Sequence, residues 1–312
     1  MELGLYTDSV PALTLDETLD LAVEIGCSAV EIAAGGQSAA PHMDVFSLVS
    51  DAKARAEYDA RIRDRGLRWA AVNCSAWPMH PTHGAHHLEI MKAAVTLAGQ
   101  LGVDKIVTMS GCPGEGAPDA RLFNWVFYPW PPEAMDMLAR QWEETVAFWE
   151  EFVPFAADHG VTRIALELHP MHLVYNVPTL RRLREAVGPA VGANIDPSHT
   201  FWQRMDAPAM VRDLGDAVHH VHLKDVSYRP EQVALAGVLD SRPFADPDQR
   251  AWTFTTVGRG HGPEYWGELF RALSEVGYDD VACIENEDPV QPAVEGVTEA
   301  AEFAKGLLTP VG

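Results

Sequence analysis

Four short aliphatic runs of the chain each end near an acid or a histidine that could do chemistry. The four residues are Glu167, Asp196, His222 and Glu285. Successive side chains of a β-strand point to opposite faces, so each of these residues is predicted to oppose the aliphatic face of its strand. Three carboxylates and one imidazole form an oxygen-rich ligand set, which suits Mn²⁺, Mg²⁺ or Co²⁺ better than structural Zn²⁺. We therefore predict that the four residues bind one divalent metal ion.

The spacing of these residues predicts the elements that position them. Glu167 and Asp196 are 29 residues apart, and Asp196 and His222 are 26 apart. One strand–helix unit of an eightfold α/β barrel takes about 30 residues. His222 and Glu285 are 63 residues apart, about twice the length of one unit. We interpret residues 226–257, which are rich in Pro, Asp and Arg, as an inserted loop that accounts for the difference. The four residues would then end successive strands at the carboxyl-terminal rim, where barrel enzymes build their active sites.

Strand-like and helix-like segments alternate along the chain, which is typical of a parallel α/β fold. We predict a single (β/α)8 TIM barrel domain over residues 1–312, with inserted loops at its C-terminal rim. A charged helix is expected from about Val49 to Arg65. No apolar run reaches the length of a membrane span and no charged and apolar leader precedes the first strand, so a cytoplasmic location is expected.

The charge of the chain limits the partners that it can bind. The formal net charge is −22, from 23 Lys and Arg against 45 Asp and Glu. Binding to a nucleic-acid backbone depends on Lys and Arg that displace counterions, so we expect neither nucleic acid nor an anionic membrane as a partner. A ligand that is neutral or bridged by a cation is expected instead, and a small carbohydrate meets that condition. Assembly into a homo-oligomer is compatible with the sequence.

The predicted metal site indicates a class of reaction. A divalent ion polarises a carbonyl group and stabilises an adjacent enediolate. A carboxylate beside an α-hydroxy carbon can then move its proton as a general base. The predicted chemistry is proton transfer next to a carbonyl, by epimerisation, aldose–ketose isomerisation or elimination, without an organic cofactor. The alternative interpretation is that four unrelated residues cap strand ends or pair with basic groups nearby.

Five further residues near the predicted strand ends are candidates for substrate contact. His169 follows Glu167 on the same strand face and is a candidate acid or base. His199 and Lys224 follow Asp196 and His222, and could hold a substrate oxygen. Arg259 and His261 stand in a glycine-flanked turn expected at the barrel mouth. The structural alternative is a turn histidine at position 199 or 169, and an ion pair of Lys224 with Asp225.

The segment at residues 111–132 carries Gly, Pro and a cluster of aromatic residues. Long loops of compact domains are often lids or binding loops. Aromatic faces suit the C–H surface of a sugar, so Trp125 and Trp130 are candidate substrate contacts. The alternative is that these aromatic side chains pack the loop onto the barrel.

The chain resembles the xylose-isomerase-like barrel superfamily of sugar isomerases and epimerases. The resemblance extends over essentially the whole chain. The motifs that carry it are Leu166-Glu-Leu-His-Pro170, Asn194-Ile-Asp-Pro-Ser-His199, His220-Val-His-Leu-Lys-Asp225, Val257-Gly-Arg-Gly-His261 and Ile284-Glu-Asn-Glu-Asp288.

The resemblance implies that Glu167, Asp196, His222 and Glu285 bind a divalent metal ion, most often Mn²⁺, with Mg²⁺, Co²⁺ or Zn²⁺ as alternatives. In the ketose-epimerase members the two metal-bound glutamates exchange the substrate proton, which implies that role for Glu167 and Glu285, and the histidine that matches His199 contacts substrate.

Two alternatives stay open beside the isomerase or epimerase. The superfamily also contains lyases and dehydratases that act on inososes or 3-keto-glycosides from a similar metal centre. A non-catalytic partner subunit is the other alternative, and the intact four-residue set counts against it. The AP endonuclease branch of the superfamily needs further His and acid ligands for three zinc ions, which cannot be placed in this sequence, and the acidic composition argues against DNA. His261 stands where many relatives carry an acid, so the substrate is left open.

Overall fold

The computed structural model describes residues 1–114 and 121–308. Its barrel strands are β1 (Glu2–Tyr6), β2 (Ala29–Gly36), β3 (Arg68–Ser75), β4 (Lys105–Thr108), β5 (Arg163–Glu167), β6 (Val191–Ile195), β7 (Val218–Leu223) and β10 (Val281–Ile284). These eight parallel strands form a closed barrel in the order β1-β10-β7-β6-β5-β4-β3-β2, which confirms the predicted (β/α)8 fold.

Within the described residues, eleven α-helices alternate with the strands. They are α1 (Leu15–Glu24), α2 (Val45–Ser50), α3 (Ala52–Arg63), α4 (Gly84–Leu101), α5 (Pro132–Asp158), α6 (Val177–Val187), α7 (Pro197–Phe201), α8 (Ala207–Leu214), α9 (Pro230–Ala236), α10 (Pro263–Glu275) and α11 (Ala293–Leu308). Helix α1 begins at a capping box, because Thr14 accepts from the Glu17 amide while the Glu17 carboxylate accepts from the Thr14 amide. No helix in this part of the chain is both long enough and apolar enough to cross a bilayer.

The chain divides into two compact units. The first unit comprises Met1–Glu31, Ile62–Ala70 and Ile195–Gly312, and the second comprises Ile32–Arg61 and Ala71–Asn194. In the first unit β1 pairs with β10, and β10 pairs with β7. In the second unit β4 pairs with β5, and β5 with β6. The assignment of the whole chain to one domain stays a prediction.

Small buried side chains of the strands pack together in each unit. In the first unit Ala29, Ala70, Val281 and Cys283 form one buried cluster. A Cβ atom at Gly4 would lie 2.5 Å from Val281 Cγ1, so this strand position has no room for a side chain. In the second unit a matching cluster joins three small residues, Ala71, Val107 and Ala165.

The helix predicted from Val49 to Arg65 differs from the structure, which has two helices there. Asp51 is extended and ends α2. Its carboxylate accepts from the Lys53 and Ala54 amides, which starts α3 afresh.

The inserted loop at 226–257 also contains regular structure. Strands β8 (Asp225–Tyr228) and β9 (Trp252–Thr255) form an antiparallel pair, and α9 lies between them. This hairpin packs through Val226 and Trp252 against Phe201 and Trp202 at the end of α7.

Candidate active site

Three of the predicted metal ligands lie together in the first unit. Asp196 follows β6 directly and begins α7, where its Oδ1 accepts from the backbone amide two residues later at 2.8 Å. His222 lies in β7, and its register partner on β10 is Cys283, two residues before Glu285. The Glu285 amide donates to the Leu223 carbonyl at 3.1 Å, which fixes the residue at the end of β10. The carboxyl ends of three strands therefore bring these side chains to one place.

Each carboxylate of this cluster lies against an imidazole nitrogen. Glu285 Oε2 is 2.8 Å from His222 Nδ1. Asp196 Oδ2 is 3.2 Å from His199 Nε2. His199 thus lies at the same cluster as the predicted ligands, three residues after one of them.

Lys224 also points into the cluster. Its ammonium lies 3.3 Å from Glu285 Oε1 and 4.0 Å from Asp196 Oδ2. It binds Glu287 as well, at 2.6 Å. Lys224 therefore contacts three carboxylates other than Asp225, which the sequence had offered as an alternative partner.

In this cluster, neighbouring charges shift the pKa values of the ionisable groups more than burial does. Burial alone would raise the pKa of Glu285, but the charges of Lys224 and His222 hold it below its ordinary value. Asp196 has its pKa lowered in the same way, since His199 and Lys224 outweigh desolvation. Burial would lower the pKa of His222, and the carboxylates of Glu31 and Glu285 instead raise it well above its ordinary value. Both acids of the cluster are therefore ionised at neutral pH.

The chemistry of this set fits a divalent cation. Asp196 Oδ2 and Glu285 Oε2 are both buried, and the nearest imidazole nitrogens, His199 Nε2 and His222 Nδ1, are not aligned for a hydrogen bond of good geometry to them. Buried carboxylates are costly unless positive charge compensates them, and a divalent ion would add to the charge of Lys224. Asp196, His222 and Glu285 each offer a ligand atom, and these atoms lie within 4.8 Å of one another. Oxygen atoms and one imidazole nitrogen suit Mn²⁺ or Mg²⁺.

Glu167 and His169 belong to the second unit. Glu167 is the last residue of β5 and is 5% exposed, and Asn194 Nδ2 lies 3.5 Å from its Oε2. The His169 amide donates to the Glu167 carbonyl at 2.8 Å, and its ring contacts the Pro170 carbonyl. The chain thus turns sharply after β5 and leaves the His169 ring half-buried beyond the strand end.

A buried group next to His222 was not predicted from the sequence. Glu31 Oε2 lies 3.0 Å from His222 Nε2 and 2.7 Å from His220 Nε2. All three side chains are 0% exposed. The signal in the sequence was that Glu31 also follows aliphatic residues in its strand, Ala29 and Val30, and that His220 shares the face of His222.

The amino-acid sequence that builds these strands matches a known family. The family described as xylose isomerase-like TIM barrel matches residues 19–307 of the 312. The chain belongs to this family. A relative from Bacillus subtilis (strain 168), described as uncharacterized protein YfiH, is 38% identical over 99% of this chain and 100% of its own length.

Two solved structures have the same fold as this family member. The probable 3-DHS dehydratase AsbF from Bacillus anthracis is 16% identical, with a TM-score of 0.68 over 98% of this chain and 99% of its own. A D-allulose 3-epimerase from Methylomonas sp. is 15% identical, with a TM-score of 0.62 over 99% of this chain and 98% of its own. Both similarities concern the fold alone.

Two predicted substrate contacts of the family member lie in the turn 257–261. The guanidinium of Arg259 binds the Glu299 carboxylate of α11 at 2.7 and 2.8 Å, and it donates to Gln291 at 3.0 Å. These acceptors hold Arg259 against the C-terminal segment, and its substrate contact stays a prediction. His261 bonds Asp225 through Nδ1 at 2.7 Å and stacks on Phe201 with ring centroids 3.6 Å apart.

One aromatic side chain of the inserted hairpin borders the cluster, although no sequence pattern indicated it. The Lys224 ammonium lies 4.5 Å from the centroid of the Phe254 ring. His199 meets the same ring edge-on at 5.9 Å. Phe254 thus provides an apolar surface beside two predicted substrate contacts.

The two predicted tryptophan contacts have different surroundings in the second unit. Trp125 packs against Phe127 and meets Tyr175 edge-on, with ring centroids 4.9 and 5.1 Å away. Trp130 is 70% exposed. Residues 115–120 of the predicted loop lie outside the described residues, so the interpretation of the whole segment as a lid stays a prediction.

Proposed function

We propose that this family member is a divalent-metal-dependent sugar isomerase or epimerase that transfers a proton next to a carbonyl group. The observation that carries the proposal is the pair of buried, ionised oxygens, Asp196 Oδ2 and Glu285 Oε2, beside the ring of His222. A divalent ion would add to the positive charge of Lys224 in compensating these buried carboxylates. The epimerase among the solved structures of the same fold supports the reaction class.

Four residues would hold the ion: Glu167, Asp196, His222 and Glu285. Their oxygen-rich composition favours Mn²⁺ as the first candidate, with Mg²⁺, Co²⁺ or Zn²⁺ as alternatives. When bound, a divalent ion polarises the substrate carbonyl and so makes the adjacent C–H group more acidic.

The acids of the chain would move the proton. The lowered pKa of Glu285 keeps its carboxylate ionised, so it can accept a proton from the α-carbon of a hydroxy-carbonyl substrate. For epimerisation, Glu167 would begin protonated and deliver its own proton to the opposite face of the same carbon, which inverts it. Glu285 would keep the abstracted proton, and proton exchange with water would restore both groups. His169 and His199 are candidates for proton transfer to the substrate oxygens, and His199 lies 3.2 Å from Asp196.

The net charge of the chain and the side chains beside the site indicate the class of substrate. A net charge of −22 disfavours free anionic ligands and gives no reason to expect nucleic acid. Lys224 would hold a substrate hydroxyl, and Phe254 offers a ring face for the C–H surface of a sugar. Roles in substrate binding for His261, Arg259, Trp125 and Trp130 stay proposals, as do a cytoplasmic location and a homo-oligomer.

A lyase or dehydratase is the second candidate function. It begins with the same proton abstraction, and the dehydratase AsbF has the same fold. The specific observation in its favour is His199, a buried imidazole beside Asp196 that could protonate a departing hydroxyl group.

Solvent exchange tests the proposal and separates the two candidates. Metal-stripped protein is reloaded with Mn²⁺ and incubated in D₂O with a panel of ketoses, aldoses and keto-sugars. We expect deuterium at the α-carbon of at least one substrate, with an epimer or isomer as product, or an unsaturated product for a lyase. Mass spectrometry and NMR measure the products. Absence of exchange across the panel in Mn²⁺-loaded protein would contradict the proposed reaction class.

A further inference from the structure

A buried carboxylate binds the side of His222 that faces away from Glu285. Glu31 lies in β2, next to Tyr6 in the parallel register of β1 and β2. Its Oε1 and Oε2 are 3.2 and 3.0 Å from His222 Nε2. Glu285 Oε2 lies 2.8 Å from the opposite nitrogen, Nδ1. The two ring nitrogens of His222 thus face two different carboxylates.

This arrangement favours one nitrogen of His222 as the metal ligand. A neutral imidazole has one N–H group and one lone pair. An ionised carboxylate accepts hydrogen bonds and donates none, so Glu31 and Glu285 each favour an N–H group on the nitrogen that they face. A cation that binds Glu285 would remove that competition, which leaves the N–H group at Nε2 and the lone pair at Nδ1, on the side of Glu285 and Asp196. A metal ion binds that lone pair, so the tautomer that Glu31 selects is the one that can act as a ligand.

His220 holds the carboxylate in place. Its Nε2 lies 2.7 Å from the same Glu31 oxygen that faces His222. His220 and His222 are two residues apart on β7, so their rings project from one strand face and meet edge-on at 5.3 Å. Tyr6 stacks on the His222 ring at 5.6 Å, with an angle of 16° between the planes. Contacts on several sides therefore fix the ring plane of His222.

We propose that Glu31, held by His220, is a positioning residue that fixes His222 in its Nε2-protonated tautomer and orients Nδ1 for the metal ion. The inference rests on the proposed metal-dependent function. Partners of this kind behind a metal-binding histidine typically change metal affinity by about 10- to 100-fold when they are replaced. Glu31 does not touch the ion or the substrate in this role.

Metal titration tests the role of Glu31. Mn²⁺ affinity is measured by calorimetry for the wild type, Glu31→Gln, Glu31→Asp and Asp225→Asn. Glu31→Gln should weaken binding by about 10- to 100-fold, because its amide can donate to Nε2 and so favour the wrong tautomer. Glu31→Asp retains the carboxylate, so we expect a smaller loss. Asp225→Asn alters another buried carboxylate–imidazole pair of the same unit and should leave Mn²⁺ affinity within about twofold of wild type.

The tautomer itself gives a second measurement. ¹⁵N-histidine NMR of the wild type loaded with diamagnetic Zn²⁺ or Mg²⁺ should show His222 protonated at Nε2, on the side of Glu31. The resonance is identified by its loss in His222→Asn. The same resonance in Glu31→Gln should shift toward the Nδ1-protonated form. A substitution that only lowers stability would not move the proton from one ring nitrogen of His222 to the other.

The outcomes separate this inference from the proposed function. If the wild type binds no Mn²⁺, both fail. If the wild type binds Mn²⁺ and folded Glu31→Gln binds it equally, with an unchanged tautomer, only the positioning role fails. Glu31, His220 and Cys283 also offer ligand atoms within 4.8 Å of one another. Two Mn²⁺ or Zn²⁺ ions per chain, with one lost in Cys283→Ser, would overturn the positioning role in favour of a second metal site.

Discussion

Replacing Lys224 by Met should destabilise the metal-free protein and increase its response to metal. Lys224 is 3% exposed, and its ammonium lies 3.3 Å from Glu285 and 4.0 Å from Asp196. At an effective dielectric constant of about 20, these distances correspond to attractions of about 5 and 4 kcal/mol. Desolvation of the ammonium offsets much of that attraction. Removing one partner of a buried pair still costs about 3 kcal/mol or more, because unpaired buried charge remains.

A bound divalent ion should reverse most of this loss. The ion supplies the positive charge that Lys224 supplies in the metal-free protein, so saturating Mn²⁺ should reduce the difference from wild type to about 1 kcal/mol. Met keeps an apolar contact with the Phe254 ring, which limits the change in packing. The assay is urea denaturation with EDTA and with Mn²⁺, which gives the free energy of unfolding in each condition.

Two controls make the result specific to charge. Lys224→Arg retains the positive charge and should lose less stability with EDTA than Lys224→Met. Lys53→Met removes an exposed pair with Glu57, and we expect a change of no more than about 0.5 kcal/mol. If Lys224→Met is as stable as wild type in EDTA, or if Mn²⁺ stabilises both proteins equally, the proposed charge balance of the cluster is wrong.

Two further predictions concern Glu285, at the end of β10, and Asp288, in the segment after it. Glu285→Gln should lower turnover by at least about 100-fold, because an amide cannot act as a general base, while circular dichroism remains that of the wild type; retained turnover would remove Glu285 from the mechanism. Asp288→Asn should destabilise the protein by about 2 kcal/mol at pH 6 and by less at pH 3, which is below the ordinary carboxyl pKa. Burial raises the pKa of Asp288, yet the amides of Val290, Gln291 and Thr256 hold it below its ordinary value of 3.8. The ionised carboxylate therefore stabilises the folded protein fully above pH 3.8, and this stabilisation is lost as the pH falls through the lowered pKa. Urea denaturation at the two pH values measures this difference, and an equal loss at both would contradict the ionic role.

The barrel could be predicted from the sequence because the patterns that indicate its strands are local. Aliphatic alternation and unit spacing identify parallel strands, and both depend on residues close in the chain. The predicted strand ends at Asp196, His222 and Glu285 lie within a residue or two of the observed ends of β6, β7 and β10.

The features that the sequence did not predict depend on distant partners. Glu31 meets His222 from 191 residues away, so strand periodicity could indicate its face but not its contact. Arg259 binds Glu299 of α11, which lies 40 residues later in the chain, and no pattern around the turn indicated this partner. Strand β9 pairs with β8 across an insertion that contains α9, and alternation over four residues was too short to identify it.

Direct titration of the metal-free protein with Mn²⁺ tests the proposed metal site most directly. Wild-type protein is predicted to bind one Mn²⁺ per chain, and the double variant Asp196→Asn/Glu285→Gln is predicted to lose that binding while it remains folded. Failure of the wild type to bind, or unchanged stoichiometry and affinity in the double variant, would show that these carboxylates are not metal ligands.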